Sequence, residues 1–298
     1  VVPRATLVLG LPHVLFVDAD QLLEADFQGR PITGLLRWRA SQTMRYCLES
    51  ADRVITVSEP AQRHLADHWR VPADRIDVLP NAVDIHRHRP YPEERLAVRA
   101  KLGLREEALL IFVSSFYCWH DISAALRAFV QVLANRPEAR LLLVGDGTSR
   151  AAMQALADEL GIATRVIFTG RIPHAEVPLL VSASDVALAL YPKMEQEFWG
   201  SPMKVFEYMA SGTAIVATAV GQLAGVLTHG HSALLCPPGD INAATTAITR
   251  LLEQPALRTQ LGNQAREDAA CRHSWEHYVG QLEAIYAAAI KDHAKLSV

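Results

Sequence analysis

One alternation runs through most of this chain: a short, β-rich apolar run, then a stretch with helical amphipathic spacing. The apolar runs fall at 14–17, 54–57, 109–114, 140–144, 166–169, 186–190 and 214–218. Between and after them the spacing predicts helices over 122–135, 150–160, 177–182, 202–210, 242–253 and 255–270. Strand and helix in alternation build parallel βαβ units, hence an open α/β sheet covered on both faces. Such sheets bind ligands beyond the carboxyl ends of their strands.

The pattern is weakest over 85–107, where His86, Arg87, His88, Arg89, Pro90, Tyr91 and Pro92 precede a charge-rich helix. A domain connection belongs there, giving an N-terminal domain over 1–88 and a second over 89–274. A chain of 298 residues suits two domains. Five strand-like runs follow the connection and two precede it, so the first domain reads as truncated. A start at Val1 rather than Met fits that reading. A net charge of -3 excludes nucleic-acid binding by mass electrostatics. The longest apolar run, 7–17, is broken by Pro12 and His13 and is too short to span a bilayer. No signal peptide is expected. Cys47, Cys118, Cys236 and Cys271 are scattered, which suits a reducing cytoplasm.

The most informative segment is EQEFWGSPMKVFEYMASG, 195–212. Ser201 suits an N-cap, Pro202 the first helical position, and Gly212 the left-handed residue that ends a helix. A helix N-terminus there, from Gly200 through Ser201, Pro202 and Met203 to Lys204, offers free N–H groups and a positive dipole end. Lys204 is unfavourable in a first turn unless an anion is near. Glu207, three residues on, shares its face. A cation and a carboxylate at a helix mouth suit a phosphate beside a sugar hydroxyl. A surface Lys–Glu pair on an ordinary capped helix is the plain alternative.

The segment resembles the donor-site helix of group 1 glycosyltransferases, retaining nucleotide-sugar enzymes of the GT-B fold. Many members read ser-pro-x-lys-x-x-glu-tyr-met-ala there, as this chain does. DRVITVSE (52–59), DRIDVLPNAVD (74–84), LVGDG (143–147), VIFTG (166–170), LCPPGD (235–240) and SWE (274–276) resemble further family segments in family order. The resemblance implies two Rossmann-like domains and a final helix, 275–298, packing back toward the first. It implies ribose binding by Glu207 and diphosphate binding by the 201–204 helix start. The backbone around Gly170, Arg171 and Ile172 would meet the base. Gly145 and Gly147 would let backbone approach the donor. Two departures stand out. The family's first donor-site Glu falls on Trp199, and its diphosphate Arg and Lys fall on Ser115 and His120. A protonated His120 is expected to supply the missing charge.

The function expected is retaining, metal-independent transfer of a sugar from a nucleoside diphosphate sugar to a hydroxyl acceptor, whether glycan, lipid or small molecule. No cofactor beyond the donor and no catalytic residue is assigned. A nucleotide-sugar epimerase of the same fold and a non-catalytic nucleotide-sugar-binding homologue are the alternatives. The Gly145–Gly147 pair lacks the third glycine of a dinucleotide fingerprint, since Arg150 stands there. His64 and His68 lie one turn apart without a third ligand, and His229 and His231 flank a loop glycine. The patch formed by Leu35, Leu36, Arg37, Trp38 and Arg39 with Met44, Arg45 and Tyr46 reads as a helix face, with peripheral contact to an anionic inner membrane left open. Asp18 and Glu24, after the first strand, stand as acceptor-facing residues or a solvated loop.

Overall fold

The computed structural model describes residues 6, 8–195 and 197–296. The start of the 7–17 apolar run at Leu7, and Gln196 before the donor-type helix, lie outside the described residues. The chain divides into two compact units, one of Val1–Asn81, Glu197–Ser201 and Glu276–Val298, the other of Ala82–Gln196 and Pro202–Trp275. The division falls between Asn81 and Ala82, a few residues ahead of residue 88.

The first unit holds a parallel sheet of β1 (Val14–Val17), β2 (Arg53–Thr56) and β3 (Ile76–Val78), in that order. β3 is a strand the apolar pattern did not count, because Asp77 interrupts a span of only three residues. That aspartate is used. Arg53 of β2 grips it bidentately at 2.7 and 2.8 Å and reaches Asp292 at 3.1 Å. His293 adds a bond to Asp52 at 3.1 Å, so the terminal helix, Trp275–Leu296, is tied to this sheet by charged groups.

The second unit carries six parallel strands: β4 (Leu109–Val113), β5 (Arg140–Val144), β6 (Val166–Gly170), β7 (Val186–Ala189), β8 (Ala214–Thr218) and β9 (Leu234–Cys236). All residues of β7 and β8 are buried, because helices cover both faces. Phe129 and Val132 of the Ile122–Asn135 helix and Ile248 of the Ile241–Glu253 helix close over Phe112, Leu141, Leu188 and Val216. β9 is the strand the sequence pattern missed; three residues before Pro237 leave little periodicity to read.

The strand order is β6-β5-β4-β7-β8-β9. The chain winds outward from β4 to β6, then returns to β4's other side with β7. The sheet therefore has its topological switch point between β4 and β7. Helix connections diverge there and leave a crevice beyond the strand ends.

Among the described residues no helix is long and apolar enough to cross a membrane. Leu35, Leu36 and Trp38 are exposed on the Gly34–Ser50 helix, and Arg37 beside them is paired with Asp26 at 2.9 Å. Among the described residues no two cysteines are joined in a disulfide.

Candidate functional site

The Met203–Ala210 helix is set directly over the switch point. Its Tyr208 hydroxyl accepts a 2.8 Å hydrogen bond from the Val113 amide, the last of β4. Gly212, with φ of 66°, turns the chain out of the helix and into β8. The start of the helix departs from the sequence reading. Ser201 is not its cap: its hydroxyl accepts from the Asn81 amide at 3.1 Å, and its carbonyl takes the Asn81 side chain at 2.7 Å. Pro202 occupies the cap position instead of the first helical one, without a side-chain bond. Gly200 and Ser201 belong to the first unit, whereas Pro202, exposed Met203 and Lys204 begin the second part of the other.

Lys204 points inward. It is buried, and its Nζ has no hydrogen-bond partner. The ammonium lies 4.8 Å from the Phe112 ring centroid and 5.5 Å from that of Tyr191, the aromatic residues at the ends of β4 and after β7. Ring faces attract a cation but do not replace its lost hydration. Burial accordingly pulls the Lys204 pKa down to about 7, against the opposing pull of Glu207. A buried amine without an acceptor leaves the desolvation of its charged form uncompensated.

Glu207 lies one turn further and is also buried. His174, in the turn after β6, donates to its Oε1 at 2.9 Å. The Nε2 of buried His88 stands 3.8 Å from the same oxygen. Neither histidine was singled out in the sequence, because 88 and 174 are far from 207 in the chain and meet it only through the sheet's topology.

The β4 loop holds Ser115 and His120. Ser115 is exposed, and its carbonyl accepts at 2.8 Å from His120 Nδ1, which must carry the proton because a carbonyl only accepts. Burial first, and Lys204 second, hold the His120 pKa down to about 3. The proton that the sequence reading placed on His120 is thus opposed by its surroundings. Nor does His120 cap the following helix. That is done by Asp121, whose Oδ1 accepts from the Ala124 amide at 2.9 Å.

Gly145 and Gly147 serve the chain's own backbone. A Cβ on Gly145, whose φ is 127°, would overlap the Ser114 carbonyl, and one on Gly147 would come within 2.6 Å of the Phe116 oxygen. These glycines let the end of β5 lie against the end of β4. Arg171 is exposed and Ile172 half-buried just past β6. The guanidinium of Arg150, the residue that stands where a dinucleotide fingerprint would have its third glycine, lies over Gly170 and pairs with Asp146 at 3.2 Å. In the first unit, Trp199 stacks on His64 with centroids 5.7 Å apart, and His64 stacks on His68 at 5.2 Å. His64 Nε2 is bonded to Asp20 at 3.1 Å, which makes this helix pair part of the unit's packing.

Residues 94–268 match the family described as "Glycosyl transferases group 1", and residues 5–87 the one described as "Glycosyltransferase Family 4". The chain is 29% identical over 289 residues to the 2-deoxystreptamine glucosyltransferase of Streptomyces kanamyceticus, covering 95% of this chain and 72% of that protein. It is 28% identical to the N-acetyl-alpha-D-glucosaminyl L-malate synthase of Bacillus anthracis, over 84% of this chain and 63% of that one. Further curated relatives are covered over roughly half to three-fifths of their length. Among solved structures, HepE of Anabaena in complex with UDP and glucose superposes with a TM-score of 0.80 at 20% identity, over 96% of this chain and 74% of that one. That likeness gives the fold: two Rossmann-like parallel sheets of the GT-B type.

Proposed function

The chain belongs to the group 1 glycosyltransferases, and from that premise we propose that it binds a nucleoside diphosphate sugar at the β4–β7 switch point and transfers the sugar to a hydroxyl acceptor. The observation that carries this reading is Lys204. Its buried, unpartnered ammonium sits one helical turn from the Glu207 carboxylate. A nucleoside diphosphate presents both complements, an anionic diphosphate and a vicinal diol. Lys204 would donate to a diphosphate oxygen, and Glu207 would accept from the ribose hydroxyls. The backbone at exposed Arg171 and half-buried Ile172 is left for the base. As the glycosidic bond breaks, negative charge grows on the leaving diphosphate; a cation fixed in a low-dielectric crevice stabilises that charge without reorganising. Retention of anomeric configuration, and the lack of need for a metal or a further cofactor, belong to this proposal and rest on the resemblance of the donor helix.

The test is turnover of UDP-, GDP- and ADP-sugars with and without a hydroxyl acceptor, with products read by the anomeric proton resonance. Transfer with retained configuration supports the proposal. An altered nucleotide sugar without an acceptor would point to an epimerase. Binding without any turnover would make the chain a nucleotide-sugar receptor.

A further inference from the structure

The ligand-type atoms of His88, His174 and Glu207 lie within 4.8 Å of one another. Two imidazoles and a carboxylate are one of the donor sets that hold zinc with an open fourth position. Tetrahedral zinc with bonds near 2.0–2.1 Å separates its ligand atoms by about 3.3 Å. Here Glu207 Oε1 stands 2.9 Å from His174 Nε2 and 3.8 Å from His88 Nε2, on either side of that value. The two rings are tilted at 51° with centroids 5.6 Å apart, so neither stacks over and shields the other. The approach required is shared unequally. His88 is buried and its backbone is held by Asp84 at 2.8 Å. The His174 side chain is 56% exposed on a three-residue turn, already within 2.9 Å of Glu207, so the adjustment falls on this less enclosed ring. The set has one carboxylate and two imidazoles, which selects a borderline transition ion over magnesium or calcium.

We propose that His88, His174 and Glu207 form a site for one Zn²⁺ ion, and that the ion and the donor nucleotide exclude each other because both claim the Glu207 carboxylate. The exclusion rests on the ribose role given to Glu207 above; the metal site does not. Zinc would thus act as an inhibitor that seals the donor crevice, a role separate from the transfer chemistry.

The full chain, free of tags and treated with EDTA, is titrated calorimetrically with ZnCl2. One ion should bind with a Kd in the micromolar range. His174→Ala removes an exposed side chain and should weaken binding at least tenfold with an unchanged melting curve. His68→Gln, at the histidine pair of the first unit, should leave it unchanged. No binding tighter than about 100 µM, or equal affinity in His174→Ala, overturns the site. Chain loaded with one equivalent of zinc and freed of excess is then titrated with UDP. Weaker apparent UDP affinity, restored by EDTA, supports exclusion. Unchanged UDP affinity overturns exclusion while leaving the metal site standing. Lys204→Ala separates the two readings, since it should lower UDP affinity without weakening zinc binding.

Discussion

Replacing Lys204 by Met keeps the side chain's length and apolar stem and removes only the amine. The structure assigns opposite signs to the two consequences. In the free protein the ammonium is buried with no acceptor, and its pKa falls from 10.5 to about 7. At about 1.4 kcal/mol per pKa unit, that shift corresponds to about 4 to 5 kcal/mol of destabilisation when the amine is charged in both states. Relaxation and water entry reduce it, and about 2 to 4 kcal/mol is the gain expected from Lys204→Met at pH 6.5. The sign follows from proton counting. Between pH 7 and 10.5 the unfolded chain holds a proton on Lys204 that the folded chain has released, so parent stability rises with pH across that window. The penalty is full below about pH 7 and fades toward pH 10.5, so the gain at pH 9 should be about half that at pH 6.5. For the ligand, losing a buried charge-assisted bond costs about 1.5–3 kcal/mol, a ten- to hundredfold loss of nucleoside diphosphate affinity. Hydrogen exchange of the β4 and β7 amides reads the local stability, and calorimetric titration the affinity. A variant no more stable than the parent at pH 6.5, with unaltered affinity, would refute both the buried charge and its use.

The pH response of the binding step should follow the same amine. UDP affinity is expected to be flat below pH 7 and to fall above it as the free-state Lys204 loses its proton; His120→Gln should keep that profile and Lys204→Met should flatten it, as titrations from pH 5.5 to 8.5 will show. Glu207→Gln should weaken nucleotide binding by roughly ten- to a few hundredfold through lost charge-assisted bonds to the ribose, with an unchanged melting curve; unaltered affinity returns Glu207 to an ordinary helix carboxylate. Gly145→Ala forces a Cβ onto the Ser114 carbonyl at a left-handed φ and should cost about 2 to 4 kcal/mol in urea unfolding. In the first unit, burial pushes Asp20 up, but bonds from His64, Trp69, Leu23 and Leu22 outweigh it and hold the carboxyl at about 2. Its contribution is present above the unfolded value near 3.8 and is lost as pH falls toward 2, so Asp20→Asn should narrow the stability difference between pH 5 and pH 2.5.

What could be read in advance depended on how locally each feature is determined. β5 and β8 were placed to the residue, because buried parallel strands are unbroken apolar runs bounded by polar turns. Periodicity alone marks out neither the Gly34–Ser50 helix, read only as a helix face within 35–46, nor the Trp275–Leu296 helix, expected only from the resemblance. Leu35, Leu36 and Trp38 face solvent together, and Trp275, Val279, Tyr286 and Ile290 are likewise exposed, so neither helix confines its apolar residues to one buried stripe. Lys204 and Glu207 were legible because one helix carries both. His88 and His174 were not, since loops distant in sequence bring them to Glu207. Ser201 shows the reverse error: its chemistry suited a cap, but Asn81 engages both its hydroxyl and its carbonyl, and tertiary context overrode the local preference.

In the proposed donor binding, a first loop with Ser115 and His120 where the family resemblance expects an Arg and a Lys leaves the diphosphate's countercharge to another element. Tyr117 and Trp119 stack at 4.9 Å in that loop, and His120 is held neutral there, so the loop offers shape rather than charge. The cation arrives from the facing helix, between Phe112 and Tyr191. Two exposed charges on a loop would be screened by water and salt, and each would contribute little. One ammonium in a low-dielectric wall interacts more strongly with a phosphate oxygen, and its cost is paid in the stability of the empty protein. Under the proposed donor binding, concentrating the charge on Lys204 would also concentrate its titration, so a single amine with a pKa of about 7 would set both the strength and the pH limit of anion binding at the switch point.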